Sequence, residues 1–179
     1  MSKIQLFIAA TLDGFIARDN GSLDWLLEME NPNQIDHGYN DFISNVDIII
    51  MGRKTYDVLL GFGIEWPYSH CKTYITTNKV DYEIKTENTF ILKEITKQKI
   101  EILKSESKMN IWLVGGGNLI TQFINIGAID EITLSVIPII LGKGIKLFAN
   151  DPLETKLKLI KSEAFETGVV NLVYQKKEQ

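Results

Sequence analysis

The sequence has few of the residues that build disulfides and metal centres. Cys71 is the only cysteine among 179 residues, and His37 and His70 are the only histidines. A lone cysteine excludes an internal disulfide, and neither residue type occurs at a zinc-ligand spacing. We therefore expect no metal site.

Basic clusters and long apolar runs are also missing. The chain has two arginines, Arg18 and Arg53, and its net charge is −4, with acidic and basic residues mixed along its length. Without a basic stripe, a nucleic-acid partner is not expected. The N-terminal apolar run is broken at Asp13 and is too short to span a bilayer, so we expect a cytoplasmic protein with no membrane partner.

The rest of the composition is that of an ordinary globular domain. Hydrophobic residues make up 45% of the chain and charged residues 23%. The length suits one domain with a full core, and we find no internal repeat, low-complexity segment or linker. We therefore expect a single domain over residues 1–179.

Apolar runs of strand length alternate along the chain with helical patterns. The predicted strands are 4–11, 47–51, 73–77, 89–93, 110–114 and 131–139, with two more β segments near 156–165 and 169–176. The predicted helices are 33–45, 55–62, 95–106 and 118–127, and the third is expected to turn Ile95, Ile102 and Leu103 inward. This alternation indicates an α/β domain with a mainly parallel sheet, which antiparallel strands at the C-terminal end would make mixed.

The segment "MGRKT" joins a buried strand to a helix. Gly52 lets a ligand approach the backbone, and the residues after it lie at a helix N-terminus, where free N–H groups favour an anion. Arg53 and Lys54 add positive charge and Thr55 adds a hydroxyl donor. The alternative is a helix start with solvent-exposed cations.

A glycine turn, "VGGGNL", follows another predicted strand. Gly115, Gly116 and Gly117 suit a tight turn whose N–H groups meet a pyrophosphate. The segment is neither a Rossmann fingerprint, because Ile120 replaces the last glycine, nor a Walker A loop. An ordinary turn is the alternative for this motif alone. Two such motifs at strand ends of one sheet favour a ligand there, since open α/β sheets bind ligands beyond the carboxyl ends of their strands.

A third polar segment, "TTNK" at residues 76–79, also follows a strand. Its hydroxyls, amide and lysine are groups that would hold an adenosine 2′-phosphate. The alternative is a polar turn.

Taken in order, these segments resemble the dihydrofolate reductase family in the broad sense. The resemblance lies in "AATLDGFIA", "GSLDW", "MGRKTY" and "WLVGGGNLITQFI", and it extends over nearly the whole chain. It implies a three-layer α/β/α fold around a mixed, mainly parallel central sheet. It also implies NADPH as cofactor and a cis peptide between Gly115 and Gly116.

The resemblance assigns cofactor contacts to individual residues. Ala9 and Ile16 would flank the nicotinamide, and the phosphates would meet Gly52, Arg53, Lys54 and Thr55. The adenosine end would lie near Thr76, Thr77 and Asn78, and the pyrophosphate and ribose near Gly115, Gly116, Gly117, Asn118 and Leu119.

Two departures bear on the substrate. Folate reductases grip the substrate's glutamate with an arginine, and this chain has Trp66 near the expected place. The segment "TLSVIPIILGKGIKLF", residues 133–148, instead resembles the reductase domain of the riboflavin-biosynthesis deaminase–reductase. The deaminase half and its zinc signature are absent. The chain thus resembles a stand-alone reductase domain, closest to 5-amino-6-(5-phosphoribosylamino)uracil reductase.

Three residues are candidates for the substrate side. Asp36 lies at about the distance before "MGR" where folate reductases keep a carboxylate, and its pKa should rise if it faces an apolar pocket; otherwise it is a solvated helix carboxylate or N-cap. Ser135 stands where folate reductases keep a strand threonine, with an edge-strand serine as the alternative. Trp25 would wall the pocket unless it is simply core. Asp13 is expected to fix the loop after the first strand.

The leading hypothesis is an NADPH-dependent reductase of a small pyrimidine or pteridine heterocycle. Dihydrofolate reductase itself is the second enzyme hypothesis, and a non-catalytic NADPH-binding module is the hypothesis from another class. The resemblance also implies a homodimer. The long apolar stretch "ITLSVIPIIL" agrees with a dimer, because an unpartnered edge segment would expose strand edges.

Overall fold

The computed structural model describes residues 2–177 and contains ten strands and five helices in that range. The strands are β1 (Ile4–Thr11), β2 (Phe15–Ala17), β3 (Val46–Gly52), β4 (Lys72–Thr76), β5 (Thr89–Leu92), β6 (Asn110–Gly115), β7 (Glu131–Ile137), β8 (Ile145–Lys146), β9 (Leu157–Ala164) and β10 (Val170–Lys176). The helices are α1 (Asp24–Leu27), α2 (Tyr39–Ser44), α3 (Arg53–Gly61), α4 (Lys97–Glu106) and α5 (Gly117–Asn125). None of these helices has the length and hydropathy needed to cross a membrane.

Eight strands form one sheet in the order β5-β4-β3-β6-β1-β7-β10-β9. The pairs from β5 through β7 are all parallel, and β10 runs antiparallel to both of its neighbours. The predicted mixed, mainly parallel sheet is therefore confirmed, together with the antiparallel strands at its C-terminal end. The two short strands β2 and β8 pair separately.

Helices cover both faces of the sheet because its central strands are apolar on both sides. On one face, α4 and α5 pack through Leu103 and Phe123 against side chains such as Leu113. On the other face, Tyr56 of α3 belongs to a second cluster with Trp112, against which α2 also packs. The structure thus has the three predicted layers.

The predicted helix over 33–45 is correct only at its end, where α2 spans Tyr39–Ser44. The side chain of Asn31 accepts a hydrogen bond from the Ile35 N–H at 2.9 Å and donates to the Ile35 carbonyl at 2.8 Å. Gln34 and His37 adopt left-handed backbone angles, with φ of 50° and 51°. These local bonds and angles replace helical ones, so residues before 39 form a loop.

The inward face of α4 differs from the prediction at one position. Ile100 and Leu103 are fully buried, whereas Ile102 is 42% exposed. Residues three apart share a helix face and adjacent residues do not, so Ile102 points away from the sheet when Ile100 and Leu103 point inward.

The stretch "ITLSVIPIIL" does not form a sheet edge. Its strand, β7, lies between β1 and β10, so its backbone is paired on both sides. The edge at this end is β9. β7 therefore offers no free edge to a second copy.

Candidate functional site

The carboxyl ends of β3, β4 and β6 bring three of the predicted motifs together. Gly52 pairs in register with Thr76, and Met51 pairs with Gly115. A Cβ built on Gly52 would lie 3.6 Å from the Gly115 carbonyl oxygen and 3.9 Å from the Thr76 Oγ1 atom. Because Gly52 has no side chain, the space between the ends of these three strands is not filled there.

The glycine turn faces the start of α3. The peptide between Gly115 and Gly116 is cis, as the resemblance implied, and α5 begins at Gly117. A Cβ on Gly116 would lie 3.7 Å from the Thr55 Oγ1 atom and 3.9 Å from the Ile16 Cδ1 atom. The N-termini of α3 and α5 therefore border one space, where backbone N–H groups left without an acceptor favour an anion. This space, which side chains at Gly52 and Gly116 would fill, fits a dinucleotide pyrophosphate.

The later residues of the turn differ in their surroundings. A Cβ on Gly117 would overlap the Lys146 carbonyl oxygen of β8, so this glycine is needed for chain packing. Leu119 is only 4% exposed and belongs to the core, and its N–H already donates to the Gly116 carbonyl at 2.9 Å. Asn118 lies exposed in the first turn of α5, where its Oδ1 atom accepts a hydrogen bond from Asn150.

Arg53 does not extend freely into solvent. Its Nη1 atom lies 2.5 Å from an Asp57 carboxylate oxygen, one helical turn along α3. The Tyr82 hydroxyl donates to the other Asp57 oxygen, and the Arg53 guanidinium carbon lies 5.8 Å from the Tyr82 ring centroid. Burial and the nearby Asp57 carboxylate raise the pKa of Tyr82. Lys54, by contrast, is exposed.

The "TTNK" segment forms a turn directly beyond β4. The Thr76 hydroxyl donates to the Met51 carbonyl at 3.4 Å, and the Thr77 hydroxyl accepts from the Lys79 N–H at 3.1 Å. Asn78 and Lys79 are exposed there, and the Lys79 ammonium lies 6.0 Å from the Tyr82 ring centroid. The polar side chains of this turn therefore lie beside Tyr82, which also contacts Arg53 and Asp57 of α3.

The predicted nicotinamide end lies on β1 and the loop after it. Ala9 of β1 packs, half-buried, against the cluster of Trp25, Ile137 and Val169. Trp25 is 6% exposed, and its indole N–H has no hydrogen-bond acceptor among residues 2–177. Trp25 is thus a core residue, as one interpretation of the sequence held. It also lies in the same cluster as Ala9 and has an indole N–H without an acceptor, which agrees with the other interpretation, a pocket wall.

Asp13 fixes the loop after β1, as predicted. Its carboxylate accepts a 2.5 Å hydrogen bond from the Thr11 hydroxyl and bonds of 3.1 and 2.7 Å from the Leu141 and Gly142 N–H groups. The Thr11 bond, followed by these backbone bonds, holds the pKa of Asp13 below its ordinary value despite an opposing effect of desolvation. The contacts join the loop that leads to Ile16 with the turn after β7.

Asp36 does not meet the condition set for a proton donor. It is exposed, and its carboxylate accepts hydrogen bonds from the N–H groups of Asn40 at 2.9 Å and Gly38 at 3.0 Å. These backbone bonds lower the pKa of Asp36, whereas an acid in an apolar pocket needs a raised one. The structure supports the alternative, a carboxylate that caps the start of α2.

Ser135 lies within the sheet and not on an edge. It is buried, and its hydroxyl donates to the Asn171 Oδ1 atom at 2.7 Å. The Asn171 amide donates in turn to the His37 carbonyl at 2.7 Å, and the His37 Nε2 atom lies 2.8 Å from the Thr167 hydroxyl. Burial lowers the pKa of His37.

Sequence reasoning missed Asn171 and His37, although one signal was present. Asn171 interrupts the apolar segment "VNLVY" of β10, and a buried amide needs a polar partner.

Trp66 stands in an aromatic cluster where a folate reductase would present an arginine. Its ring centroid lies 5.3 Å from that of Tyr56 and 5.2 Å from that of Tyr68. Tyr68 continues the contacts to Trp112 at 5.5 Å. These rings provide an apolar wall with no guanidinium for a carboxylate.

The sheet order and the two facing helix N-termini are those of a dihydrofolate reductase-like domain. The chain belongs to the family of the RibD C-terminal domain, whose match covers residues 2–171. Reductases of this family generally use a nicotinamide cofactor.

Relatives match over nearly the full chain. The uncharacterized protein YwjB of Bacillus subtilis (strain 168) is 39% identical over 167 residues, covering 93% of this chain and 94% of its own. A crystal structure of a Shewanella sp. PV-4 protein, provisionally named a riboflavin biosynthesis protein, has 32% identity and a TM-score of 0.88, covering 99% and 100% of the two chains. A pyrimidine reductase-like protein from Corynebacterium diphtheriae shares the fold at 13% identity, with a TM-score of 0.70 and 99% and 93% coverage.

Proposed function

We propose that this protein is an NADPH-dependent reductase of a pyrimidine or pteridine, most like 5-amino-6-(5-phosphoribosylamino)uracil reductase. The observation that carries the proposal is the meeting of Gly52, Thr55 and Gly116 between the starts of α3 and α5. A space bordered by two helix N-termini favours a diphosphate. The nicotinamide cofactor supplies the hydride, and the protein supplies the binding and orientation.

The substrate assignment is supported by what surrounds the nicotinamide end. Ala9 and the Trp25 cluster provide apolar contact for a flat heterocycle, and the unpartnered Trp25 N–H offers one hydrogen bond. The aromatic cluster at Trp66 lacks the arginine that a glutamate tail requires. These features favour a pyrimidine over dihydrofolate, which stays as the second candidate substrate.

Family membership and the names of relatives agree with this choice. The family is that of the RibD C-terminal domain, and a protein of the same fold is named pyrimidine reductase-like. A non-catalytic NADPH-binding module is the alternative from another class. The observation that supports it concerns Asp36. This carboxylate is exposed and hydrogen-bonded to backbone N–H groups, so the residue expected to donate the proton does not suit that role.

The test is a fluorescence titration of the purified protein with NADPH and NADH. We expect NADPH to bind, and the double variant Arg53→Ala, Lys54→Ala to bind it much more weakly. Lys72→Ala is the matched control, because Lys72 lies at the opposite end of β4 and pairs with Glu106. Failure of the native protein to bind either nucleotide would overturn the proposal.

A substrate panel then separates the three functions. Oxidation of NADPH with the ring-opened aminopyrimidine of the riboflavin pathway would support the proposal. Turnover of dihydrofolate alone would favour the second candidate. Binding of NADPH without turnover of any pyrimidine or pterin would favour the non-catalytic module.

We also propose that the protein is a homodimer in which a second copy contacts the edge strand β9. Its eight residues pair only with β10, which leaves its outer backbone groups free within the described range, 2–177. Leu159 and Ile160 of this strand are 49% and 47% exposed. An unpaired edge strand with exposed apolar side chains is a template for another chain, and a second copy carries the same edge.

A further inference from the structure

The order of the strands gives a bound dinucleotide a direction. The order of strands along the carboxyl edge is β1, β6, β3 and β4. Ala9 lies in β1, Gly116 directly follows β6, Thr55 lies in the helix after β3, and Thr76 ends β4. Three strand spacings amount to about 14 Å, because neighbouring strands lie about 4.8 Å apart. On the proposed function, on which this inference rests, a cofactor with its nicotinamide at Ala9 has its adenosine over β4.

Beyond β4, the ring of Tyr82 lies between two cationic side chains, and a carboxylate pairs with one of them. The ring of Tyr82 has the Arg53 guanidinium 5.8 Å from its centroid and the Lys79 ammonium at 6.0 Å. Its hydroxyl donates to Asp57, which also binds Arg53 at 2.5 Å. Asp57 and Tyr82 thus hold Arg53 from two sides.

For ligand binding, the fixed position of the Arg53 side chain matters more than the strength of its ion pair with Asp57. Exposed ion pairs add little to stability, and an arginine loses much side-chain entropy when it becomes ordered on a ligand. A guanidinium already fixed against a ring and a carboxylate loses less. It also has five N–H donors, so bonds to Asp57 leave others for a phosphate.

We propose that Tyr82 is a positioning residue that fixes Arg53, and thereby sets a preference for a dinucleotide with a phosphate on its adenosine ribose over one without. Arg53 and Lys79 bind that phosphate, and Tyr82 contacts neither it nor the reacting atoms. Tyr82 therefore affects only the adenosine end of the cofactor. Its loss should therefore weaken NADPH binding and leave NADH binding unchanged.

The experiment compares the dissociation constants of NADPH and NADH for four proteins by nicotinamide fluorescence. We expect Tyr82→Leu to weaken NADPH about tenfold, equivalent to about 1.4 kcal/mol, with no change for NADH. Tyr82→Phe should bind NADPH nearly as well as the native protein, because the ring remains beside the guanidinium. Phe90→Leu is the matched control, because Phe90 is an exposed ring with the Lys72 ammonium 5.5 Å from its centroid on β5.

Each contrary outcome has its own meaning. Equal weakening of both nucleotides in Tyr82→Leu, or no weakening of either, would overturn the positioning role. A phenylalanine variant no better than the leucine variant would also overturn the role of the ring. A native protein that binds NADPH and NADH equally would overturn this inference but keep a nicotinamide-binding reductase, whereas one that binds neither would overturn the proposed function.

Discussion

The hydroxyl of Ser135 donates a 2.7 Å hydrogen bond to the side-chain oxygen of Asn171, its register partner on the adjacent antiparallel strand. Both residues are buried, at 5% and 7% exposure. The Asn171 amide also donates to the His37 carbonyl, so the pair connects the centre of the sheet to the loop before α2. A buried amide with both ends bonded fixes the position of that loop.

Replacing Ser135 with alanine should destabilise the protein. The Asn171 oxygen would lose its donor while staying buried, which costs about 1–3 kcal/mol of unfolding free energy. Urea unfolding followed by circular dichroism measures the change. Ser69→Ala, at an exposed serine outside the sheet, is the control, and it should stay within about 0.5 kcal/mol of the native protein. Equal stability of the two variants would contradict the role of this bond.

Two glycine substitutions should separate cofactor binding from folding. A Cβ on Gly52 meets its nearest atom at 3.6 Å, an ordinary contact, so Gly52→Ala should fold normally but place a methyl group where the diphosphate is proposed to bind. A Cβ on Gly117 would overlap the Lys146 carbonyl, so Gly117→Ala should lower the unfolding free energy by about 1–3 kcal/mol.

Thermal unfolding and NADPH titration of both glycine variants make the comparison. The expected pattern is an unchanged melting temperature with weakened NADPH binding for Gly52→Ala, and a lowered melting temperature for Gly117→Ala. If Gly52→Ala binds NADPH as tightly as the native protein, the diphosphate does not lie at this glycine.

Local sequence patterns predicted the strands of the central sheet and the position of the two glycine motifs at strand ends. Apolar runs such as "DIIIM" specify a strand covered on both faces, and the carboxyl ends of parallel neighbours necessarily share an edge. The sequence therefore placed Gly52 and Gly115 at the same edge of the sheet, whereas their direct contact depends on the strand order, which local patterns do not contain. The resemblance to dihydrofolate reductases supplied the cis peptide, which no local pattern contains.

The wrong predictions depended on contacts distant in sequence or on side-chain bonds. Whether β7 is an edge depends on β10, which follows it by more than thirty residues and pairs with it antiparallel. The helical spacing before residue 39 was real, but bonds from Asn31 to Ile35 override it. Asp36 consequently caps α2, and its exposure could not be read from its spacing to "MGR".

The loop after β1 should lose stability as the pH falls. The pKa of Asp13 is lowered by its bonds to Thr11, Gly142 and Leu141, so its contribution is present above the unfolded pKa of about 3.9 and is lost as the pH falls through the folded value. Asp13→Asn removes the charge at every pH. The gap in melting temperature between the native protein and this variant should therefore be present at neutral pH and close below about pH 4.

Thermal unfolding between neutral pH and about pH 3 tests this closing gap. Asp81→Asn, at another exposed carboxylate, is the control for removing one surface charge. A gap for Asp13→Asn that stays constant across the whole range would mean that the loop contacts do not depend on ionised Asp13.

The proposed dimer gives a test of the exposed strand β9. Light scattering should give twice the 20.3 kDa mass of one chain at micromolar concentration. Leu159→Lys places a charge on the proposed contact and should shift the mass toward one chain, because a desolvated ammonium opposes burial. Leu153→Lys is the matched control, since Leu153 is 61% exposed but lies before β9. A native monomer would overturn the dimer, whereas a dimer unaffected by Leu159→Lys would move the contact away from β9.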